Sequence, residues 1–443
     1  MRMLTDNPIQ EREDDKFGFH TYANILAHTI RDTEKLPFSI GIFGAWGTGK
    51  TSLMKMIEAY AKEEQSADAQ GKKVKSIWFN PWKYDKKEDL WHALIQSILY
   101  RIAEEGDRKL EKKAKELAAH TAWFFIKKGI TAATHGFISA EYLENVKNAM
   151  IKKDEIHYRH INHFEEDFKE VIDLYTNHGK LIVFIDDLDR CLPENAITVL
   201  ESLKLFIGSS RCVFVLGMDH YIVEEGIKHR YGEKIKLSGR DYLDKIIQVP
   251  FFLPPVPFNK LRSMLEETNI AQYTEAVWSL LDIGLGGNPR HTKRFVNCYY
   301  LLNQVINESS SEMTEEIDKI RQIEHIPQEH YSFYMAKLLI IQMKYQEFYT
   351  KLKLDSAAWA DYEVHVLPPE GRDEFLSKRK DLVPFWEDEY LRSFMIRTSN
   401  AINSKFPPKP SAIVVGSLIK MISLVSPDET YQQSERSFDQ RAK

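Results

Sequence analysis

Cysteine is scarce in this sequence, and the few cysteines are far apart. The 443 residues include three, Cys191, Cys212 and Cys298, and none of them belongs to a Cys-x-x-Cys pair. An odd, dispersed set excludes a disulfide framework, and the missing pairs exclude a cysteine zinc site. We therefore expect a protein of a reducing compartment and assign it to the cytoplasm.

Long apolar runs are missing as well. The first thirty residues carry acidic side chains where a signal peptide would need an unbroken apolar stretch. The most apolar long segment, residues 122–140, is interrupted by Lys127, Lys128 and His135, whereas a membrane-spanning helix needs roughly 20 apolar residues. The sequence therefore predicts neither a signal peptide nor a transmembrane span.

The sequence has no large excess of charge of either sign. It contains 60 Lys and Arg residues against 65 Asp and Glu residues, which gives a formal charge of −5. That balance excludes a polybasic binder, so nucleic acid is not indicated as a partner. It does not exclude local basic patches. With 43% hydrophobic residues the chain is expected to be globular, as about three domains or as one large α/β domain with helical additions.

Five short apolar runs rich in Ile, Val and Phe are predicted to be buried strands. They cover residues 39–43, 74–79, 181–185, 211–216 and 246–252. Segments with helical spacing of apolar residues separate the runs, which is typical of an α/β fold whose parallel sheet is sandwiched by helices. After the proline cluster at residues 253–257 the strand patterns end, so we predict an all-helical region there.

These patterns divide the chain into three predicted domains. Residues 1–253 form an α/β core with a helical insert at about residues 107–150, and residues 254–350 form a first helical region. Residues 351–443 form a C-terminal helical extension whose last part, from residue 426, is polar enough to be a loose tail.

Residues 44–51, GAWGTGKT, match the phosphate-binding loop pattern GxxxxGK[ST] at every fixed position. They follow a predicted strand and precede a helical pattern, which is the context that the motif requires. Glycines let successive backbone N–H groups turn toward a phosphate chain, and the helix N-terminus adds partial positive charge. We expect Lys50 to reach the β- and γ-phosphates and the hydroxyl of Thr51 to bind Mg²⁺. The predicted cofactor-binding residues are Gly44, Ala45, Trp46, Gly47, Thr48, Gly49, Lys50, Thr51 and Ser52.

A second motif, LIVFIDDLDR at residues 181–190, is an apolar strand that ends in carboxylates. Ligands of open parallel sheets bind at the carboxyl ends of the strands, so these acids are expected beside the phosphate loop. Asp186 is predicted to hold Mg²⁺ through water, and Asp187 to polarise the attacking water. For Asp187 and Asp189 the alternative is that they cap the following helix. Arg190 either contacts phosphate or pairs with a neighbouring acid.

Two further sites complete the predicted set. Asp219 follows the fourth strand, where it would sense the γ-phosphate or the attacking water; a turn cap is its alternative. In the helical half, Pro289 begins a helix on which Arg290, Lys293 and Arg294 share one face. That face is predicted to contact the phosphates of the nucleotide, and a solvated basic face is its alternative. The predicted catalytic residues are Lys50, Asp187, Asp219, Arg290 and Arg294.

Three histidines, His157, His160 and His163, recur every third residue on a predicted helix. This spacing is compatible with zinc, but no cysteine accompanies them and acids surround them, so a polar helix face is favoured. Thr51 and Asp186, with Mg²⁺, remain the predicted metal site.

Taken together, these segments resemble the KAP family of P-loop NTPases, within the STAND and AAA+-like group. The resemblance rests on residues 44–51 and on DDLDR at residues 186–190, and it covers roughly residues 14–349. Further matching segments are WFNPWKY at residues 78–84, DYLDKIIQVP at 241–250, GNPR at 287–290 and KLLIIQ at 337–342.

The resemblance implies a sheet of order 5-1-4-3-2, ATP and Mg²⁺ as ligands, and a helical lid after the proline cluster. It also implies a partner, because many bacterial members resemble components of phage-defence or mobile-element systems in which the ATPase drives or gates an effector protein. Many relatives carry transmembrane helices between the two nucleotide motifs, whereas the insert here is broken by lysines, which favours a soluble or peripheral member.

The leading hypothesis is an ATP-hydrolysing switch in which ATP closes the helical half onto the sheet. The alternative is a nucleotide-gated assembly scaffold with little or no turnover. Both hypotheses are compatible with a homo-oligomer. A DNA-stimulated motor is disfavoured, because the sequence has no helicase motif and no strongly basic face.

Overall fold

The computed structural model describes most of the chain in two units. The described residues are 3–9, 12–63, 72–84, 90–127, 159–206, 211–231, 239–267, 273–308, 318, 322 and 325–423. One unit, Asn7–Pro254, contains the sheet and is called the α/β unit below. The other, Met1–Asp6 together with Pro255–Lys443, is called the helical unit. The chain therefore passes from one unit to the other twice, after residue 6 and after residue 254.

Five parallel strands form the sheet of the α/β unit. They are β1 (Phe38–Phe43), β2 (Val74–Phe79), β3 (Lys180–Ile185), β4 (Cys212–Met218) and β5 (Val249–Phe252). Their order across the sheet is β2-β3-β4-β1-β5, which is the predicted 5-1-4-3-2 order counted from the opposite edge. The predicted fold class is confirmed.

The last strand is shorter than its apolar run. Residues 246–252 were expected to be extended, but β5 begins only at Val249. Ile246 and Ile247 lie in a turn, where their N–H groups both bond to the carbonyl of Leu243, and their side chains are buried in the core. Apolar residues of a buried turn are indistinguishable from strand residues by composition alone.

Helices cover the sheet, as the continuous apolar character of β3 and β4 requires. The helices of this unit are α1 (Phe19–Asp32), α2 (Lys50–Glu63), α3 (Leu90–Glu105), α4 (Arg108–Lys127), α5 (Arg159–Thr176), α6 (Pro193–Phe206), α7 (His220–Tyr231) and α8 (Gly239–Leu243). Short 3₁₀ turns lie at Arg12–Asp14, Pro81–Tyr84 and Leu188–Arg190. In α3 the side chains of Leu94, Ile95 and Ile98 are fully buried, so the predicted helical spacing marks the face that packs into the core.

Part of the predicted insert at residues 107–150 is helix α4; residues 128–150 lie outside the described residues, as does His157. His160 and His163 belong to α5, and their side chains are not among those described. Across the described ranges, the structure has no group of three or more His, Cys, Asp or Glu side chains that could hold a metal ion. Nor, among the helices described, does any combine the length and apolar character needed to cross a bilayer.

The helical unit has no strand in its described residues, as predicted for the chain after residue 253. Its helices are α9 (Phe258–Glu267), α10 (Glu275–Leu285), α11 (Pro289–Glu308), α12 (Gln328–Lys344), α13 (Gln346–Leu354), α14 (Ala358–Asp361), α15 (Arg372–Lys378), α16 (Val383–Glu387), α17 (Glu389–Arg397) and α18 (Ala412–Ser423). Helix α13 runs across the predicted 350/351 boundary. The three-domain division stays a prediction, and the predicted tail from residue 426 onward lies outside the described residues.

The core of the helical unit contains a buried ion pair. Lys337, on α12, donates from Nζ to Oε1 of Glu363 at 2.7 Å and to the carbonyl of Thr398 at 3.1 Å. Nε1 of Trp359 donates to the same carboxylate oxygen at 2.8 Å. The Lys337 and Glu363 side chains are only 1% and 7% exposed, and burial lowers the pKa of Lys337. Glu363 belongs to a π-helical turn, Tyr362–Val366, and is one of the buried residues of that turn.

Lys337→Ala is expected to lower the free energy of unfolding by about 3–5 kcal/mol, because it leaves a carboxylate buried without its cation. Urea unfolding followed by circular dichroism measures this. The matched control is Lys378→Ala, which breaks an exposed pair with Glu374 and should stay within about 0.5 kcal/mol of the parent. A Lys337→Ala value as small as that of the control would contradict a stabilising role for the pair.

Candidate nucleotide-binding site

The phosphate loop joins the end of β1 to the start of α2. Lys50 and Thr51 are the first two residues of α2, so the loop ends at a helix N-terminus. Gly47 and Gly49 have φ angles of 85° and 107°, which side-chain-bearing residues rarely adopt. A Cβ atom on Gly49 would also lie 2.5 Å from the ring of Phe19. Gly47 and Gly49 therefore allow the backbone conformation that the motif predicts for a phosphate-binding loop.

Lys50 is held inside the site by three acceptors. Its Nζ donates to the carbonyls of Gly44 at 2.8 Å and Ala45 at 3.3 Å. It also pairs with Oδ2 of Asp189 at 3.2 Å, and the two side chains are only 8% and 3% exposed. The sequence leaves two alternatives for Asp189, a role in the site and a helix cap, and it does not predict this ion pair.

Thr51, in the first turn of α2, lies beside Asp186, which directly follows β3. The Thr51 hydroxyl donates to Oδ2 of Asp186 at 2.7 Å, and Oδ1 of Asp186 accepts the N–H of Asp187 at 2.9 Å. Burial raises the pKa of the Asp186 carboxyl, and the Thr51 hydrogen bond opposes that shift. On β4, Gly217 leaves room for this carboxylate, since a Cβ there would lie 2.8 Å from Oδ1. A hydroxyl and a carboxylate are hard oxygen donors of the kind that Mg²⁺ prefers, so these residues fit the ion.

Asp187 has both carboxylate oxygens engaged. Asn80 donates from Nδ2 to Oδ2 at 2.9 Å, and Arg190 pairs through Nε with Oδ1 at 2.7 Å. The backbone of Asp187 is left-handed, with φ of 60°, and its side chain makes no capping hydrogen bond to the turn that it precedes. For Arg190 the structure has the second of the two predicted alternatives, pairing with an acid.

Asn80 was missed by sequence reasoning, although a signal for it exists. It is the polar residue directly after β2, and β2 is the neighbour of β3 in the sheet. A polar side chain that directly follows a buried strand is the signal, and Asn80 carries it just as Asp219 does. The carboxyl ends of all strands of a parallel sheet meet at one edge, so the signal has the same meaning after β2 as after β4.

Asp219 has the contact expected of a cap. Its Oδ1 accepts the N–H of Tyr221 at 3.0 Å, and its carbonyl accepts the N–H of Val223 at 3.2 Å, both at the beginning of α7. A role as sensor of phosphate or water stays a prediction.

The basic face of α11 belongs to the helical unit. Helix α11 begins at Pro289 as predicted, and Oδ1 of Asn288 caps it by accepting the N–H of Arg290 at 3.0 Å. Arg290 pairs with Asp6 at 3.2 Å, and Nζ of Lys293 donates to the carbonyl of Thr5 at 3.1 Å. Arg294 is exposed to solvent. Residues 3–6 therefore occupy part of this face, and contact of Arg290 and Arg294 with nucleotide stays a prediction.

The strand order, the glycine loop at a helix N-terminus and the adjacent Thr51–Asp186 pair define a P-loop NTPase fold. The model of the KAP family P-loop domain matches residues 19–306, more than half of the 443 residues. The chain therefore belongs to the KAP family of P-loop NTPases, as the resemblance of its motifs predicted.

Curated relatives match parts of the chain. An uncharacterised protein of Methanocaldococcus jannaschii is 26% identical over 160 residues, which is 29% of this chain and 82% of that protein. The phage T7 exclusion protein of Escherichia coli K12 is 24% identical over 301 residues, 61% of this chain and 37% of that protein. The human kinase D-interacting substrate of 220 kDa is 24% identical over 100 residues, 22% of this chain and 6% of that protein. The chain thus matches well under half of the last two proteins.

Solved structures resemble the chain more loosely. The Aeropyrum pernix ORC2 protein in ADPNP–ADP complexes has a TM-score of 0.36 and 15% identity, covering 94% of this chain and 95% of that chain. The Aeropyrum pernix ORC1 protein in complex with DNA has a TM-score of 0.35 and 13% identity, covering 94% of each chain. The fold assignment therefore rests on the strand order and the family match rather than on these structures.

Proposed function

We propose that this protein is a Mg²⁺-dependent ATP hydrolase that acts as a molecular switch and controls a partner protein. The observation that supports this most directly is the cluster of Lys50, Thr51, Asp186 and Asp187 at one edge of the sheet. It combines a cation for phosphate, oxygen donors for a metal and a second carboxylate for water. Binding proteins that only hold a nucleotide have no need of the second carboxylate.

In the proposed mechanism the backbone N–H groups of the loop and Nζ of Lys50 bind the phosphate chain of ATP. Thr51 and Asp186 would hold Mg²⁺, which when bound neutralises charge on the β- and γ-phosphates. Asp187 orients the attacking water and accepts its proton, while Asn80 holds the carboxylate in place. Asp219 remains a candidate sensor of the γ-phosphate.

One contact favours the alternative, a nucleotide-gated scaffold with negligible turnover. Arg190 pairs through Nε with Oδ1 of Asp187 at 2.7 Å, and a carboxylate oxygen held by a guanidinium is not available to bind the attacking water. Steady-state phosphate release, measured with and without Mg²⁺ and with and without DNA, separates the candidates. Mg²⁺-dependent release supports the hydrolase, ATP binding without release supports the scaffold, and strong stimulation by DNA would indicate a motor.

The proposed setting is a prokaryotic phage-defence or mobile-element system with an effector protein or further subunits. The match to the phage T7 exclusion protein supports this, although it spans 37% of that protein. A plaque assay in cells expressing the wild-type chain with its neighbouring genes tests the setting. Phage growth that is equal with and without the expressed genes would contradict it.

Arg294→Ala is expected to leave ADP affinity nearly unchanged and to weaken the effect of ATP on the linker at residues 254–257. A cation that contacts the extra phosphate of ATP would favour the ATP-bound conformation by about 1–3 kcal/mol. Limited proteolysis at the linker with ATP and with ADP measures this. Arg294 is a cleaner position than Arg290, because Arg290 also pairs with Asp6. The control is Arg397→Ala, an exposed arginine on α17, and equal ATP protection in all three proteins would contradict the prediction.

A further inference from the structure

The lysine of the phosphate loop is paired with an acid of its own chain. Nζ of Lys50 lies 3.2 Å from Oδ2 of Asp189, and both side chains are buried. Among the described residues, Lys50 is the one cation in an ion pair with Asp189. A buried carboxylate with a single counter-ion depends on that ion, because its charge has little access to water.

The ammonium group of Lys50 has no donor to spare. It carries three N–H bonds, and it has three acceptors, the carbonyls of Gly44 and Ala45 and the carboxylate of Asp189. A phosphate oxygen can therefore bind Lys50 only in exchange for one of them. The carbonyls belong to the loop that wraps the phosphates, whereas Asp189 is an anion that a second anion repels, so Asp189 is the acceptor that gives way.

We propose that Asp189 is a positioning residue that competes with the nucleotide for Lys50. The proposal rests on the proposed function, since it requires nucleotide at the phosphate loop. When the β-phosphate binds Lys50, Asp189 loses its counter-ion, and nucleotide affinity is correspondingly lower than the loop alone would give. Asp189 thereby lowers the affinity of the site for any ligand whose β-phosphate has to displace it from Lys50.

The test measures the dissociation constants of AMP, ADP and a non-hydrolysable ATP analogue by calorimetry, in the full chain and in Asp189→Asn. We expect Asp189→Asn to bind ADP and the ATP analogue about tenfold more tightly, because Lys50 no longer leaves an anion. AMP has no β-phosphate for Lys50, so its affinity should change by less than about twofold. The matched control is Glu58→Gln, which removes the carboxylate paired with Lys62 elsewhere in the α/β unit.

The outcomes separate this proposal from the proposed function. Unchanged or weaker ADP binding in Asp189→Asn overturns the proposal, and so does an equal gain for AMP, which would reflect charge alone. A wild-type chain that binds no ADP contradicts the proposed function itself. If Asp189→Asn does not fold, Asp189→Ser is measured in the same way. Loss of the fold in both variants would make the pair purely structural and would overturn the proposal as well.

Discussion

Lys50→Ala is expected to weaken ATP binding by at least about 100-fold and to remove hydrolysis. The variant loses the cation that would neutralise the β- and γ-phosphates. It also leaves Asp189 buried and unpaired next to the bound phosphates, so repulsion adds to the lost attraction. Calorimetry for ATP and a phosphate-release assay measure the two effects.

Two companion variants make this result interpretable. Lys62→Ala removes another lysine from α2, one that pairs with Glu58 at the surface, and should bind and hydrolyse ATP normally. Lys50→Ala should also lower the melting temperature, because it leaves the Asp189 carboxylate buried without a counter-ion. The double variant Lys50→Ala, Asp189→Asn removes that charge, so it should melt at a higher temperature than Lys50→Ala but still not hydrolyse ATP. Wild-type affinity and turnover in Lys50→Ala would overturn the assignment of the phosphate loop.

Asp187→Asn is expected to keep Mg·ATP bound and to slow hydrolysis by about 10²–10⁴-fold. The amide keeps the shape of the side chain but cannot accept a proton from the attacking water. Single-turnover hydrolysis, with the protein in excess over ATP and at a concentration above the dissociation constant, measures the chemical step apart from binding. The control is Glu225→Gln, an exposed carboxylate on α7 whose partner is Lys228. If Asp187→Asn hydrolyses ATP at the wild-type rate, another group activates the water and Asp187 has only a structural role.

The parts of the structure that could be predicted depend on short-range rules. The phosphate loop is one example, because the positive φ angles of the loop require glycine at Gly47 and Gly49, and the lysine and threonine follow at fixed spacing. The strands are another, since burial on both faces forces continuous apolar runs such as β3 and β4. The strand order itself came from the family resemblance and not from the strand patterns.

The parts that could not be predicted are pairings between distant positions. Asn80 and Asp187 are 107 residues apart, and Lys50 and Asp189 are 139 residues apart. Each side chain alone is compatible with a turn, a cap or a surface position. Which acid meets which donor depends on the register of neighbouring strands and on the turn after β3, and a single sequence does not reveal either. Asp219 differs from these pairs, because its contact with the N–H of Tyr221 lies only two positions along the chain and a turn cap was one of its two predicted alternatives.

The two crossings of the chain between its units bear on the order in which the protein is made and folds. The backbone of Leu4 bonds to the side chain of Asn297 through both its N–H, at 2.9 Å, and its carbonyl, at 2.8 Å, across 293 positions of sequence. Translation makes residues 7–254 before α11, so the α/β unit can complete its sheet while residues 3–6 still lack Asn297 as a partner. The helical unit can close only afterwards, around a segment translated before its other helices. Assembly of the helical unit is thus a late step that depends on a long-range contact. A translation stop or a long pause soon after the α/β unit has emerged would leave that unit folded and residues 3–6 without their partner Asn297.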